Sequence, residues 1–176
     1  MFSRLRGDFP ILDARVGESP LSYLDSGATS QKPQCVIDTF VEYYQQRNSA
    51  VHRGAHSLAV EATDAFENGR IAVAGLVGGD AEQVCWTKNA TEALNIVALG
   101  IDRASHGFGG EAAERFALSP ADSIVITEME HHANLVPWQQ LAASTGAQLR
   151  WLPVTDAGEL DLSRLKIGRA SCRERV

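Results

Sequence analysis

Cysteine is scarce in this chain of 176 residues, and the three present, Cys35, Cys85 and Cys172, form no C-x-x-C and no paired spacing. A disulfide framework and a zinc knuckle are therefore not expected. Positive charge is in deficit: 16 Lys and Arg face 22 Asp and Glu, for a formal net charge of −6. Such a balance leaves no electrostatic footprint for nucleic acid or for an anionic membrane. Long apolar runs are missing too. The longest, residues 71–77, carries a glycine and is far too short to span a bilayer. The opening MFSRLRGDFPIL has basic residues but no apolar stretch behind them, so no signal peptide is expected and cytoplasm is the default location. No internal repeat or low-complexity linker interrupts the chain.

What is present describes a soluble globular protein: 44% hydrophobic and 22% charged residues, at a length suited to one domain of ordinary size. Cys85, inside the apolar VCW, reads as a buried thiol. The last ten residues, IGRASCRERV, lack a core-forming pattern and resemble an in-frame translation of a sequencing-library adapter. Residues 167–176 are therefore set aside from the fold, with Lys166 suspect beside them. Their three arginines and one glutamate carry +2, which leaves −6 − 2 = −8 for the rest.

Patterning predicts an α/β fold. A short strand at residues 23–25 runs into the turn-rich SGATSQKP, after which Pro33 opens a helix with Val36, Ile37, Phe40, Val41 and Tyr44 on its apolar stripe. After NSAVHRGAHS comes a second helix, with Leu58, Ala62, Phe66, Ile71 and Leu76 on its stripe, stopped by Gly78-Gly79. Alternation follows: a strand at 84–87, a helix bearing Leu94, Ala98 and Ile101, a polar surface insertion at 105–119, and the strand SIVIT (123–127), expected to be buried on both faces. A helix over 135–144 and a strand over 148–154 complete a parallel or mixed sheet with crossover helices. Ligands of such sheets sit at the carboxyl ends of strands, which points to the residues just after Thr87 and Thr127.

Those residues carry chemistry. In KNATEALN, Asn89 is an N-cap candidate, and the free amides of Ala90 and Thr91 would meet the positive end of the helix dipole, a setting suited to phosphate. The Thr91 hydroxyl and the Lys88 ammonium could assist; an ordinary capped helix without a ligand is the alternative. In EMEHHANLVPW the adjacent His131 and His132 point in different directions and cannot form the i, i+4 pair of a helical zinc site. One could lie flat over an aromatic cofactor while its neighbour caps the next helix, and Asn134 could cap or reach a ligand oxygen; packing and hydrogen bonding are the alternative. The loop VHRGAHS holds His52, Arg53 and His56, either solvated or functional. The small residues of DSGAT allow a close backbone approach, or form a tight turn.

RGDFPIL, YLDSGATSQKP, NSAVHRGAHSLA, WTKNATEALNIVA and ITEMEHHANLVPW, in this order and spacing, resemble the Suf-type (group II) cysteine desulfurases of the class V aminotransferase superfamily. The resemblance spans roughly residues 5–165. It implies the N-terminal part of a fold-type I transferase dependent on pyridoxal 5'-phosphate (PLP), with a mixed, mainly parallel sheet. Residues 1–80 would be a helical segment belonging to the small domain and the dimer and active-site loops, and 81–166 the first part of the large PLP-binding domain. The implied reaction converts L-cysteine to L-alanine, with sulfur passed to an enzyme persulfide for iron–sulfur cluster assembly. A homodimer and a sulfur-acceptor protein of the Suf system are the implied partners.

Carried over by motif, Ala90 and Thr91 would hold the PLP phosphate and His131 would stack on the pyridine ring and assist proton transfer. His56 would lie near substrate or persulfide, and Ala28 near substrate. The family's cofactor-bearing lysine, its pyridinium carboxylate and its nucleophilic cysteine match nothing here; Lys32 and Lys88 do not fit the lysine motif. The 176 residues alone are therefore expected to be inactive. Another class V lyase, epimerase or aminotransferase is the rival within the superfamily, and a non-enzymatic phosphate- or metal-binding domain the rival outside it.

Overall fold

A computed structural model of the chain describes residues 5–163, which fall into two compact units that divide between Cys85 and Trp86. The tail at 167–176 and Lys166 lie outside the described residues.

In the first unit, strands β1 (Arg15–Val16) and β2 (Ser19–Pro20) pair antiparallel, Arg15 opposite Pro20 and Val16 opposite Ser19. The strand expected at 23–25 does not form. Leu24 is 95% exposed and pairs with no strand among the described residues, and Tyr23 donates its hydroxyl to the carbonyls of Asp25 (3.0 Å) and Thr29 (2.7 Å), which fixes the following turn. Helix α1 (Gln34–Glu42) begins behind Pro33, which is its N-cap, and winds into a wider turn at Tyr43–Arg47.

Helix α2 (Ser57–Val77) ends where the pattern placed its end, on left-handed Gly78 (φ 73°), whose N–H bonds to the Ala74 carbonyl. Its buried residues are the small ones, Ala59, Ala62 and Ala74. The bulky members of the expected stripe, Leu58, Ile71 and Leu76, are exposed. Arg70 on α2 donates to the carbonyls of Ala81 (2.5 Å) and Val84 (3.2 Å).

That last bond bears on the strand expected at 84–87. The stretch forms no strand among the described residues, and the Val84 carbonyl that a ladder would use accepts the Arg70 guanidinium N–H. Cys85, expected to be buried, is exposed.

The second unit opens with helix α3 (Ala90–Ser105), followed by the one-turn helix α4 (Glu111–Glu114) within the 105–119 insertion. Strand β3 (Ser123–Thr127), helix α5 (Val136–Thr145) and strand β4 (Gln148–Leu152) form a parallel crossover unit, in register from Ser123 opposite Gln148 to Thr127 opposite Leu152. The expected strand stops at 152 rather than 154, and Val154 instead bridges back to Leu160. Left-handed Gly146 (φ 77°) closes α5. Helix α5 packs on α3 and on β4. Leu141, Ala98, Ala104, Ala147 and Ile126 make the buried core.

β3 is not buried on both faces. Ile126 is buried, but Val125 is 55% exposed, because β4 is the one strand paired with β3 among the described residues and nothing there covers the Val125 side. Among the described residues no helix is long and apolar enough to cross a membrane.

Candidate functional site

The start of α3 is built by three side chains. Asn89, in extended backbone, accepts the N–H of Glu92 on its Oδ1 (2.9 Å), the N-cap bond anticipated from the sequence. Thr87 donates its hydroxyl to the Asn89 carbonyl (3.2 Å) and orients the cap. Glu92 reaches back to accept the N–H of Lys88 (2.6 Å).

Lys88 Nζ lies 3.6 Å from Glu92 Oε1, an i, i+4 pair. The Lys88 ammonium stays mostly exposed beside Glu92, while the N–H groups of Ala90 and Thr91 and the Thr91 hydroxyl have no protein acceptor among the described residues. Two unpaired amides and a hydroxyl at the positive end of a sixteen-residue helix form a donor set that matches the acceptor-only oxygens of a phosphate.

A second group of residues follows β3. The short turn His132–Asn134 packs against both α3 and α5, so the His131 turn and the α3 helix belong to one packed unit. His131 is exposed and caps this turn: its Nδ1 accepts the N–H of Ala133 (3.1 Å). A neutral imidazole that accepts at Nδ1 carries its proton on Nε2. The ring therefore has one nitrogen fixed by its own backbone and the other presented outward.

The two histidine rings do diverge, with planes 78° apart. It is His131, however, and not its neighbour, that caps. Asn134 does not cap α5. Its Nδ2 donates to Glu130 (2.6 Å) and its Oδ1 accepts Trp138 Nε1–H (2.8 Å). Glu130 also accepts the Thr127 hydroxyl (2.8 Å). These donors, Thr127 first and Asn134 second, hold its carboxyl below the ordinary glutamate range. Nothing in the sequence pattern marked Glu130; its only signal was its place beside His131.

In the first unit, His56 is the N-cap of α2, its Nδ1 accepting the N–H of Ala59 (3.3 Å), and so it shares the tautomer of His131. Ala28 sits exposed in the turn after Asp25, its N–H bonded to the Asp25 carbonyl (3.1 Å). A side chain built on Gly27 would meet nothing within 4 Å, so no close backbone approach is made there by the described residues.

His52 has left-handed backbone (φ 58°), a strained conformation for a non-glycine residue. It is held by its N–H to Thr63 Oγ1 (3.0 Å) and its Nε2 to Glu67 (3.0 Å). Arg53 is exposed. Among the described residues no group of three or more His, Cys, Asp or Glu side chains is placed to hold a metal ion.

Comparison with known proteins agrees with the motifs. The family model described as aminotransferase class-V matches residues 22–172. A probable cysteine desulfurase of Mycobacterium leprae is 50% identical over 166 residues, covering 94% of this chain and 38% of that protein. A cysteine desulfurase of Dickeya dadantii is 47% identical over 163 residues, covering 92% and 37%. Among solved structures, the apo cysteine desulfurase of Thermococcus onnurineus superposes with a TM-score of 0.74 at 37% identity, covering 92% of this chain and 36% of that one. A cysteine desulfurase of Escherichia coli superposes with a TM-score of 0.68 at 34% identity, covering 93% and 37%. The chain thus spans a little over a third of the length of the curated relatives it matches.

Proposed function

The chain belongs to the aminotransferase class-V family, and on that premise we propose that it forms part of a PLP-dependent cysteine desulfurase, which takes sulfur from L-cysteine and leaves L-alanine. The observation that carries this reading is the pairing, within one packed unit, of an unfilled helix start at Ala90 and Thr91 with the exposed imidazole of His131 at the carboxyl end of β3. Ala90 and Thr91 bind the phosphate through their amides and the Thr91 hydroxyl. His131, held by its Nδ1 bond to Ala133, would stack on the pyridine ring and assist proton transfer through Nε2. When bound, PLP supplies the electron sink for the bond changes at the substrate's α-carbon.

His56, near substrate or persulfide, and Ala28, near substrate, complete the set by family motif. The Suf-type subgroup, a homodimer, a sulfur-acceptor protein of the Suf system, iron–sulfur cluster assembly and a cytoplasmic location belong to the same proposal. So does the assignment of 1–80 to the small domain and 81–166 to the large one. It rests on the motifs YLDSGAT, HRGAHS and EHHANLVPW.

The test is a full-length protein carrying this sequence, supplied with PLP and then with L-cysteine under reductant. It should turn yellow on binding PLP and release alanine and sulfide together. A protein that stays colourless, or alanine formed no faster than without enzyme, overturns the assignment.

A further inference from the structure

We propose that Glu130 is a positioning residue for His131: its carboxylate ties the end of β3 to the start of α5 and so holds the turn that presents the imidazole. The inference rests on the reading that His131 faces the cofactor, and extends it to a residue whose carboxylate is bonded to Thr127 and Asn134.

Both carboxylate oxygens are engaged, each toward a different element. Oε1 accepts the Thr127 hydroxyl (2.8 Å) and, more weakly, the Thr127 N–H (3.4 Å), at the last residue of β3. Oε2 accepts Asn134 Nδ2 (2.6 Å), at the last residue of the short turn. Asn134 in turn accepts Trp138 Nε1–H on its Oδ1 (2.8 Å), which carries the tie into α5. One connected chain of hydrogen bonds therefore runs from residue 127 to residue 138 around His131.

The donor directions along this chain are forced. Trp138 Nε1 can only donate, so Asn134 must present its oxygen to it and its amide to residue 130. Residue 130 must then accept, and a carboxylate, which accepts at both oxygens, satisfies Asn134 and Thr127 at once. The carboxyl is held ionised by these same donors. With the backbone fixed on either side and Nδ1 fixed by Ala133, the imidazole has little freedom left.

A purely structural role for Glu130 would change stability alone, so the test reads His131 itself. In the full-length protein, Glu130→Ala should leave PLP affinity within about threefold, because a phosphate held at Ala90 and Thr91 does not depend on it. It should change the visible circular dichroism of bound PLP and lower kcat by about tenfold to a hundredfold, the scale expected when a reacting group moves by roughly an ångström. Glu130→Gln, which still accepts from Asn134 and can turn its amide to the Thr127 hydroxyl, should restore most of both signals. It also serves if the alanine variant does not fold.

In a His131→Ala background the Glu130→Ala change should add nothing to either signal. Nitrogen NMR of His131 without PLP should show Nε2–H in the parent and a tautomer mixture in Glu130→Ala. Wild-type dichroism and an unchanged tautomer in Glu130→Ala, or additive effects in the double variant, would overturn the positioning role. A parent protein that binds no PLP would instead overturn the functional assignment, while the tautomer measurement would still decide the clamp.

Discussion

Replacing Thr91 with alanine should push cofactor affinity and helix stability in opposite directions. Thr91 is the second residue of α3, and its hydroxyl has no protein partner among the described residues while its carbonyl accepts Asn95 Nδ2 at 2.8 Å. A hydrogen bond to a charged acceptor contributes about 1.5–3 kcal/mol, so losing it should weaken PLP binding by roughly 10- to 150-fold at 1.4 kcal/mol per decade. Alanine is also the better helix former, by up to about 0.7 kcal/mol, so the protein without PLP should be unchanged or slightly more stable. Thr91→Ser keeps the hydroxyl and should bind within a few-fold of the parent. The assay is a PLP titration read by absorbance, paired with a urea melt of the PLP-free protein. Parent-like affinity in Thr91→Ala would remove this hydroxyl from the phosphate site. A loss of affinity matched by an equal loss of stability would show damage to the helix instead.

Asn89→Ala removes the cap bond to Glu92 and should cost about 1 kcal/mol in a urea melt of the full-length protein, with Asn89→Ser recovering most of it; an unchanged midpoint would deny the cap. Glu130 has a folded-state pKa below its unfolded value, so its contribution is fully present above the ordinary glutamate pKa and is lost as pH falls through the lowered one. Acid melts of the parent should therefore lose stability in that window more steeply than those of Glu130→Gln, and parallel curves would contradict the Thr127 and Asn134 bonds. The 176 residues alone should bind a hydrophobic dye and melt with poor cooperativity, because Leu24, Leu76 and Val77 are all more than 70% exposed. A sharp, dye-silent transition would show those side chains covered.

Helix ends were legible because they are local. Gly78 had to supply a left-handed residue and Asn89 a side-chain acceptor, and both requirements are written in single residues at fixed offsets. Burial was less legible because it is not local. The pattern at 123–127 is that of a strand covered on both faces, yet Val125 is exposed, and residues 84–87 have strand composition but form no strand among the described residues. Apolar periodicity reports what a segment is suited to pack against. Whether a partner is there depends on segments far away in sequence, which is why Cys85, Ile71 and Leu76 were all placed too deep.

The site shows the same division, with one twist. Ala90 and Thr91 follow from the cap beside them, whereas the capping by His56 and His131 does not follow from propensity, since the residues favoured there are Ser, Thr, Asp and Asn. An imidazole capping through Nδ1 nevertheless does something those shorter side chains cannot: it satisfies a backbone N–H with one nitrogen and leaves a second nitrogen, on the far side of the ring, free to carry a proton. A serine at position 131 would serve the turn equally well and present nothing. If the turn needed only a cap, the bulkier and less favoured residue would be an odd choice. If it must also present a proton-bearing group at the carboxyl end of β3, histidine is the side chain that does both, and the carboxylate of Glu130 beside it is what keeps that group from wandering.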